Sequence, residues 1–388
     1  MTAIVPATRL ARFYFFYFGF IGVFAPYWAL YLKSVGLAAD EIGALLALVP
    51  ITRMFGPAFW GWVADTRGKR SPLIRMTTIG TLVVFCGVFL GSGFAWLCAV
   101  MLAMNLFWGG TLPLVEATTF GHLGDRLDGY GRIRAWGSVG FVAVVIGTGY
   151  ALDQTGIRAV PWMIVAMLLL LAIASYDLPE APDHPHHDDH LAAWDILRRP
   201  EVVALFAGCF LSAVASGPYN TFYSIWLVDH DYSKSGIGLL WALGVVAEII
   251  VFWMWTRLTA HWNLKSLLLA AYGITCVRYL AIGWLPAYGA VMLVAQIAHA
   301  ATFAFFHGAA AALTYRFFRG RHQSKGQALY SGIGFGAGGA VGGLASGFLW
   351  DRVGGAVTFS IGAAAAAVAF GITARWLKIP APAHTASL

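Results

Sequence analysis

Twelve long apolar runs restrict this chain to one kind of fold. A helix needs about 20 apolar residues to cross a bilayer. Such runs fall, within a few residues, at 10–32, 40–63, 72–91, 94–119, 131–152, 159–177, 202–228, 236–256, 265–284, 288–313, 326–349 and 355–376. They are too long for strands and lack period-two alternation. In hydrocarbon every backbone N–H and C=O must be satisfied internally, which leaves only helices or a closed barrel. Charged residues make up 11% of the chain, against roughly 25% in soluble domains. The expectation is an all-α membrane protein with twelve transmembrane helices. The first run begins after Arg9 and Arg12 and reaches Leu32, too long for the apolar core of a cleavable signal.

The chain also repeats itself. Residues 28–55 align without a gap on residues 223–250, so that Ile42-Gly43 falls on Ile237-Gly238, Leu46 on Trp241 and Arg53 on Glu248. Two related halves predict two pseudo-symmetric six-helix bundles, spanning 1–178 and 201–388. The hydrophilic stretch 179–200 would be a cytoplasmic linker between them. A charge at the same depth in each half points to a transporter with its site between the bundles. Charges in hydrocarbon are costly and therefore functional by default.

Basic residues orient the spans. Of 25 Lys and Arg, 19 fall on the side that holds both termini, four (Lys33, Arg158, Lys234, Arg352) on the other, and Arg53 and Arg278 lie inside spans. The excess marks the cytoplasmic face, so the net charge of +7 needs no nucleic acid partner. The expected location is a bacterial inner membrane, with both termini cytoplasmic. Cys86, Cys98, Cys209 and Cys276 sit in apolar runs without paired or metal-binding spacing and read as packing residues. The linker carries His184, His186, His187 and His190; such a tract is compositional and reads first as a solvated tether. No metal and no cofactor is expected. The expected partners are a small-molecule substrate, a proton and the lipid bilayer, with the protein acting as a monomer and not as an enzyme.

After the second run comes GWVADTRGKR, with Gly61, Asp65, Arg67, Gly68, Lys69 and Arg70. This resembles the loop between helices two and three of the major facilitator superfamily. Gly61 would allow close helix approach, and Asp65 would cap a helix end or pair with a neighbouring Arg. Glu116 and Arg134 stand 18 residues apart on the fourth and fifth runs. This resembles the lactose-permease-like branch, where such a spacing implies a sugar-binding ion pair. Arg134, Ser138 and Phe141 share one helix face. Phe141 stands where that branch has a sugar-stacking Trp, a departure that weakens a galactoside reading. Both charges lie near the ends of their spans and could equally form a gate or be solvated.

In the second half, Glu248 and Trp241 share a face of the eighth run, Arg278 lies in the ninth, and Gln296, His299, Phe303 and His307 form one stripe on the tenth. The resemblance places a Glu, an Arg and a His on these same helices. It adds a Glu three residues after the His, where this chain has Thr302. Nearly end to end, segments such as PYWALYLKSVGL, YGRIRAWGSVGF and IAHAATFAFFH resemble the phenylpropionate permease family. The glycines Gly334, Gly336 and Gly339 spell G-x-G-x-x-G, but no strand precedes them. Gly334, Gly338 and Gly342 instead suit close helix packing.

These readings predict proton-coupled uptake by alternating access. Glu248, His299, His307 and Glu116 are the candidates for the proton. Arg53, Arg134, Phe141, Tyr223, Trp241, Arg278, Gln296 and Phe303 are candidates for the substrate. The four deepest charges, Arg53, Glu116, Glu248 and Arg278, sum to zero and suggest mutual pairing. Arg53 is a candidate cross-bundle partner of Glu248 or a substrate anchor, and the repeat leaves open whether the two meet. Two Arg favour a small aromatic carboxylate such as 3-phenylpropionate. A sugar or nucleoside symporter, a drug exporter and a transporter-derived sensor remain the alternatives.

Overall fold

A computed structural model describes residues 5–124, 128–180, 194–318 and 322–379. Among the described residues twelve helices are long and apolar enough to cross a membrane: α1 (Ala7–Ser34), α2 (Ala39–Arg67), α3 (Ser71–Leu90), α4 (Phe94–Leu123), α5 (Gly129–Thr155), α6 (Ile157–Tyr176), α7 (Pro200–Val228), α8 (Lys234–Trp253), α9 (Leu264–Trp284), α10 (Gly289–Phe317), α11 (Lys325–Val353) and α12 (Gly355–Trp376). The described residues contain no strand. The histidine tract of the linker lies outside the described residues.

Helix 1 packs on α5 and α6, α3 on α4 and α6, and α12 on α7 and α9. The two halves meet chiefly through α2 against α11 and α5 against α8. These crossings are close because glycines line them. A methyl group at Gly43 would stand 2.7 Å from the Gly347 Cα, and one at Gly238 would stand 2.7 Å from the Val145 carbonyl. Glycine spacing on α11 serves both sides of that helix. Gly338 and Gly342 abut the backbone of α7 at Phe210 and Val214, while Gly343 and Gly347 face Ala47 and Gly43 of α2.

One apolar core runs through the first bundle and continues into the second at the end that carries the 34–39 and 228–234 turns, taking in Phe222, Ile237, Ile282 and Phe359. The second bundle's other end has a core of its own, built on Leu205, Leu268, Leu313 and Phe318. The bundles are therefore packed together at one end and part toward the other, where both described chain ends lie. Segments 255–261, 306–317 and 323–329 pack mainly inside their own bundle.

At the parted end, residues 176–180 tie the first bundle together. Asp177 pairs with Arg12, Tyr176 accepts from Arg75, and the Glu180 carboxylate accepts from the Arg70 and Ser71 N–H groups at 2.6 and 3.0 Å, closing the start of α3. This corrects the expected role of Asp65, which is exposed and makes no hydrogen bond or ion pair among the described residues. Gly61 faces open space, so it permits no close approach; that role falls to Gly56 against Gly109. Gly68 has a definite task. It ends α2 with φ +63°, and its N–H bonds the Ala64 carbonyl. Arg67 and Lys69 are exposed beside it.

Candidate functional site

Between the bundles lies a cavity of about 360 Å³. Local breaks in the helices shape it. Pro50 and Pro113 sit inside α2 and α4, and each removes a backbone donor. Helix 7 steps at Ser216 because Pro218 cannot continue the ladder, and Tyr219 follows at once. Residues Ala301–Phe305 of α10 and Tyr330–Gly338 of α11 widen into π-helix, a deformation frequent at functional sites.

The first bundle contributes Phe20, Phe24, Trp108, Asn105 and Arg53 to the wall. Trp108 is itself fixed by stacking on Tyr17, centroids 4.1 Å apart and 6° from parallel. Arg53 is exposed to the cavity and has no hydrogen bond or ion pair among the described residues. The second bundle contributes Tyr219, Asn220, Trp241, Tyr279, His299 and Phe303. Tyr219 packs against Trp241 and His299, with centroids 5.2 Å away in both cases, and Trp241 donates its indole N–H to Ser224 at 3.1 Å.

The charges do not pair as the sequence suggested. His299 Nε2 lies 2.8 Å from Glu248 Oε1, and both side chains are mostly buried. Glu248 is thus held by α10 of its own bundle and not by Arg53. Equal depth in a repeat gives two residues corresponding places; it does not turn them toward each other. Arg278 is buried behind the wall. Its Nε donates to the Ala295 carbonyl at 2.7 Å and an Nη to Gln296 Oε1 at 2.9 Å, and the guanidinium lies 4.2 Å from the Tyr219 ring centroid. Cation–π contact and two hydrogen bonds satisfy most of this charge without a carboxylate. Gln296 also bonds Tyr219 at 3.3 Å. Tyr223 is fully buried beside Tyr219 and Trp241.

The other sequence candidates lie apart from the cavity. Glu116 accepts from the Tyr130 hydroxyl at 3.0 Å, while Arg134 lies over the Phe18 ring at 3.7 Å, so the expected Glu116–Arg134 ion pair is not formed. An aromatic face and a phenol compete successfully for the two groups. Phe141 is buried in the α1–α5 seam, where its carbonyl crowds Gly22, and it forms no part of the cavity wall. His307 Nδ1 bonds the Tyr330 hydroxyl at 3.0 Å, and its ring is parallel to Phe303 at 5.7 Å. Sequence reasoning missed Asn105, Asn220 and Trp108. Asn105, an amide inside an apolar run, was the available signal; Asn220 lies beside the Gly217-Pro218 break.

The cavity lies between two six-helix halves. One wall carries a cation without a partner among the described residues, and the other carries the His299 imidazole, with the Glu248 carboxylate held against it outside the lining. Such a site can bind a small amphipathic molecule and hold a proton. It contains no nucleophile–base arrangement among its lining residues.

Known proteins match this architecture. The MFS_1-like family matches residues 7–361. A probable 3-phenylpropionic acid transporter of Escherichia coli (strain K12) is 30% identical over 364 residues, covering 90% of this chain and 93% of that one. A maltose permease of Geobacillus stearothermophilus is 27% identical, covering 89% and 88%. The crystal structure of the nucleoside transporter NupG superposes with a TM-score of 0.83 at 15% identity, covering 96% of this chain and 99% of that one. The homologues and the fold are those of transporters, not enzymes. The chain belongs to the MFS_1-like family and is a multi-pass membrane transporter of the major facilitator superfamily.

Proposed function

We propose that the protein takes up a small aromatic carboxylate, of the size and type of 3-phenylpropionate, together with a proton. The observation that carries this reading is Arg53, without a partner among the described residues, on one wall of an aromatic-lined cavity opposite the Glu248–His299 pair. The local charge balance favours an anion. Arg53, Arg278 and Glu248 sum to one positive charge, and protonation of the pair adds another. A substrate carboxylate at Arg53 lowers that excess, so proton and anion assist each other's binding. The ring of the substrate would lie between Phe20, Phe24 and Trp108 on one side and Tyr219 and Trp241 on the other. The 30% identity to a relative named for 3-phenylpropionic acid agrees with this class.

The basic side of the chain would face the cytoplasm, with both termini there, in a bacterial inner membrane. The packed end then faces outward and the parted end inward, so this is an inward-facing state of the transport cycle. Phe141 and Arg134, expected at the substrate, take no part in this binding step. His307 and Glu116 stand as secondary proton-handling groups near the inward mouth, and the gradient is the energy source.

A second reading is a nucleoside symporter. Asn105 and Asn220 line the cavity and suit hydroxyl and base groups. Uptake of labelled 3-phenylpropionate into membrane vesicles, with maltose and uridine as competitors and with or without a protonophore, separates these. Accumulation of the acid that collapses with protonophore and resists both competitors is expected. Accumulation that ignores the protonophore rejects proton symport; uptake of uridine in place of the acid moves the assignment to the second reading.

A further inference from the structure

The packed end is held by carboxylates that cap helices of the opposite bundle. Ala38, the residue before α2, has no side chain able to cap that helix. The Ala39 N–H instead donates to Asp351 Oδ2 at 3.1 Å, from the last turn of α11 across the bundle boundary. Helix 8 occupies the equivalent place in the other half. Its Lys234 and Ser235 N–H groups donate to Asp153 Oδ1 and Oδ2 at 2.9 and 3.1 Å, from the last turn of α5. Each bundle thus lends a carboxylate to the positive N-terminus of the other bundle's helix. Lys33 at the end of α1 bonds both oxygens of Asp229 at 2.7 and 2.9 Å. The Tyr27 hydroxyl sits beneath, with the Val145 and Lys234 carbonyls at 3.0 and 3.1 Å.

We infer that Asp153 and Asp351 form a reciprocal latch that holds this end shut and sets the balance between the two access states. Apart from the bond between Tyr27 and Val145, these contacts cross the boundary, so they must break when this end opens. Within their own bundles α2 is capped by Glu41, which accepts from the Ala38 N–H at 3.0 Å, and α8 by Ser233, which accepts from the Gly236 N–H at 3.0 Å. The Asp351 and Asp153 caps are additional and form only with this end closed. The two caps are repeat-related: they tether the α2–α11 and α5–α8 seams symmetrically, and Lys33–Asp229 adds an asymmetric third tether. The latch is independent of substrate identity and of proton coupling.

The test uses full-length protein with the four native cysteines replaced by Ser and with Leu46→Cys, a cavity position on α2. Labelling by a membrane-impermeant maleimide is measured in right-side-out and in inverted vesicles. Asp153→Asn and Asp351→Asn are each expected to raise labelling from the latch side about two- to fivefold and lower it from the other side, with the product of the two effects in the double variant. Asp153→Glu and Asp351→Glu, which retain the charge, should give smaller rises. Asp177→Asn, which loses an ion pair inside one bundle at the opposite end, serves as the control and should leave the ratio between sides unchanged. Variants that fail to reach the membrane are replaced by the single change Asp229→Asn, which removes the third tether and is expected to shift labelling in the same direction. Unchanged labelling ratios in both Asn variants, or a ratio shifted equally by Asp177→Asn, overturn the latch.

Discussion

The packed end and the parted end of this molecule use opposite materials. At the packed end the bundles touch through glycines, Gly43 on Gly347 and Gly238 on Val145, over an apolar core common to both. Polar contacts there lie at the rim and are short: Lys33–Asp229, and the caps from Asp153 and Asp351. At the parted end each bundle secures itself. The first does so through Arg12–Asp177 and the Glu180 cap, the second through a separate core and the His307–Tyr330 bond. Backbone-to-backbone contact is all-or-none, because a single Cβ spoils it, so it suits a surface that closes completely or opens. Self-contained ends suit bundles that must separate without unfolding. The cavity sits between these two regimes, with its charged groups toward the parted side.

The largest expected effect comes from Glu248→Gln, which should abolish proton-driven accumulation while leaving exchange of preloaded substrate. Normal accumulation by this variant would remove the Glu248–His299 pair from coupling and place the difference between the two ends elsewhere. Next is Gly43→Leu. A side chain there meets the Gly347 and Gly343 backbone, so the packed end cannot close, and uptake should fall roughly tenfold or more at normal expression. Wild-type uptake would show that the seam deforms and that the glycine contact is dispensable.

A smaller effect is expected at the cavity. Arg53→Gln should raise the KM for the carboxylate roughly tenfold, the loss of one charge-assisted contact, with little change in thermal stability because Arg53 holds no other group among the described residues. An unchanged KM would remove Arg53 from the site. The smallest effect belongs to Tyr330→Phe, which deletes the partner of His307 at 3.0 Å. It should cost about 0.5–1.5 kcal/mol, read as a few degrees in a detergent melting curve, with uptake within twofold of the parent. A larger loss of uptake would give the parted end a part in transport beyond self-support.

The helices were legible because bilayer thickness and backbone satisfaction act on each run separately. The boundaries expected for α9 and α12, 265–284 and 355–376, differ from those found by a residue or less. Glycine spacing on α11 was legible for the same reason, since only close packing rewards it. The site was legible in membership more than in geometry. Arg53, Trp241, His299 and Phe303 do line the cavity, and Glu248 lies against His299. Arg278 and Gln296 lie behind Tyr219, and Phe141 and Arg134 are spent on α1. A helix face names a direction, and its neighbour in that direction belongs to another part of the chain.

The sequence alone determined twelve helices, two related halves and a bias of basic charge to one side, because each follows from local composition against the bilayer. Tertiary structure decided which charges meet. Glu248 chose His299 over Arg53 because α10 packs against α8 within one bundle, whereas α2 faces it across an open cavity. It also decided which end is shut, since the caps from Asp153 and Asp351 exist only where helix ends far apart in the chain are brought together.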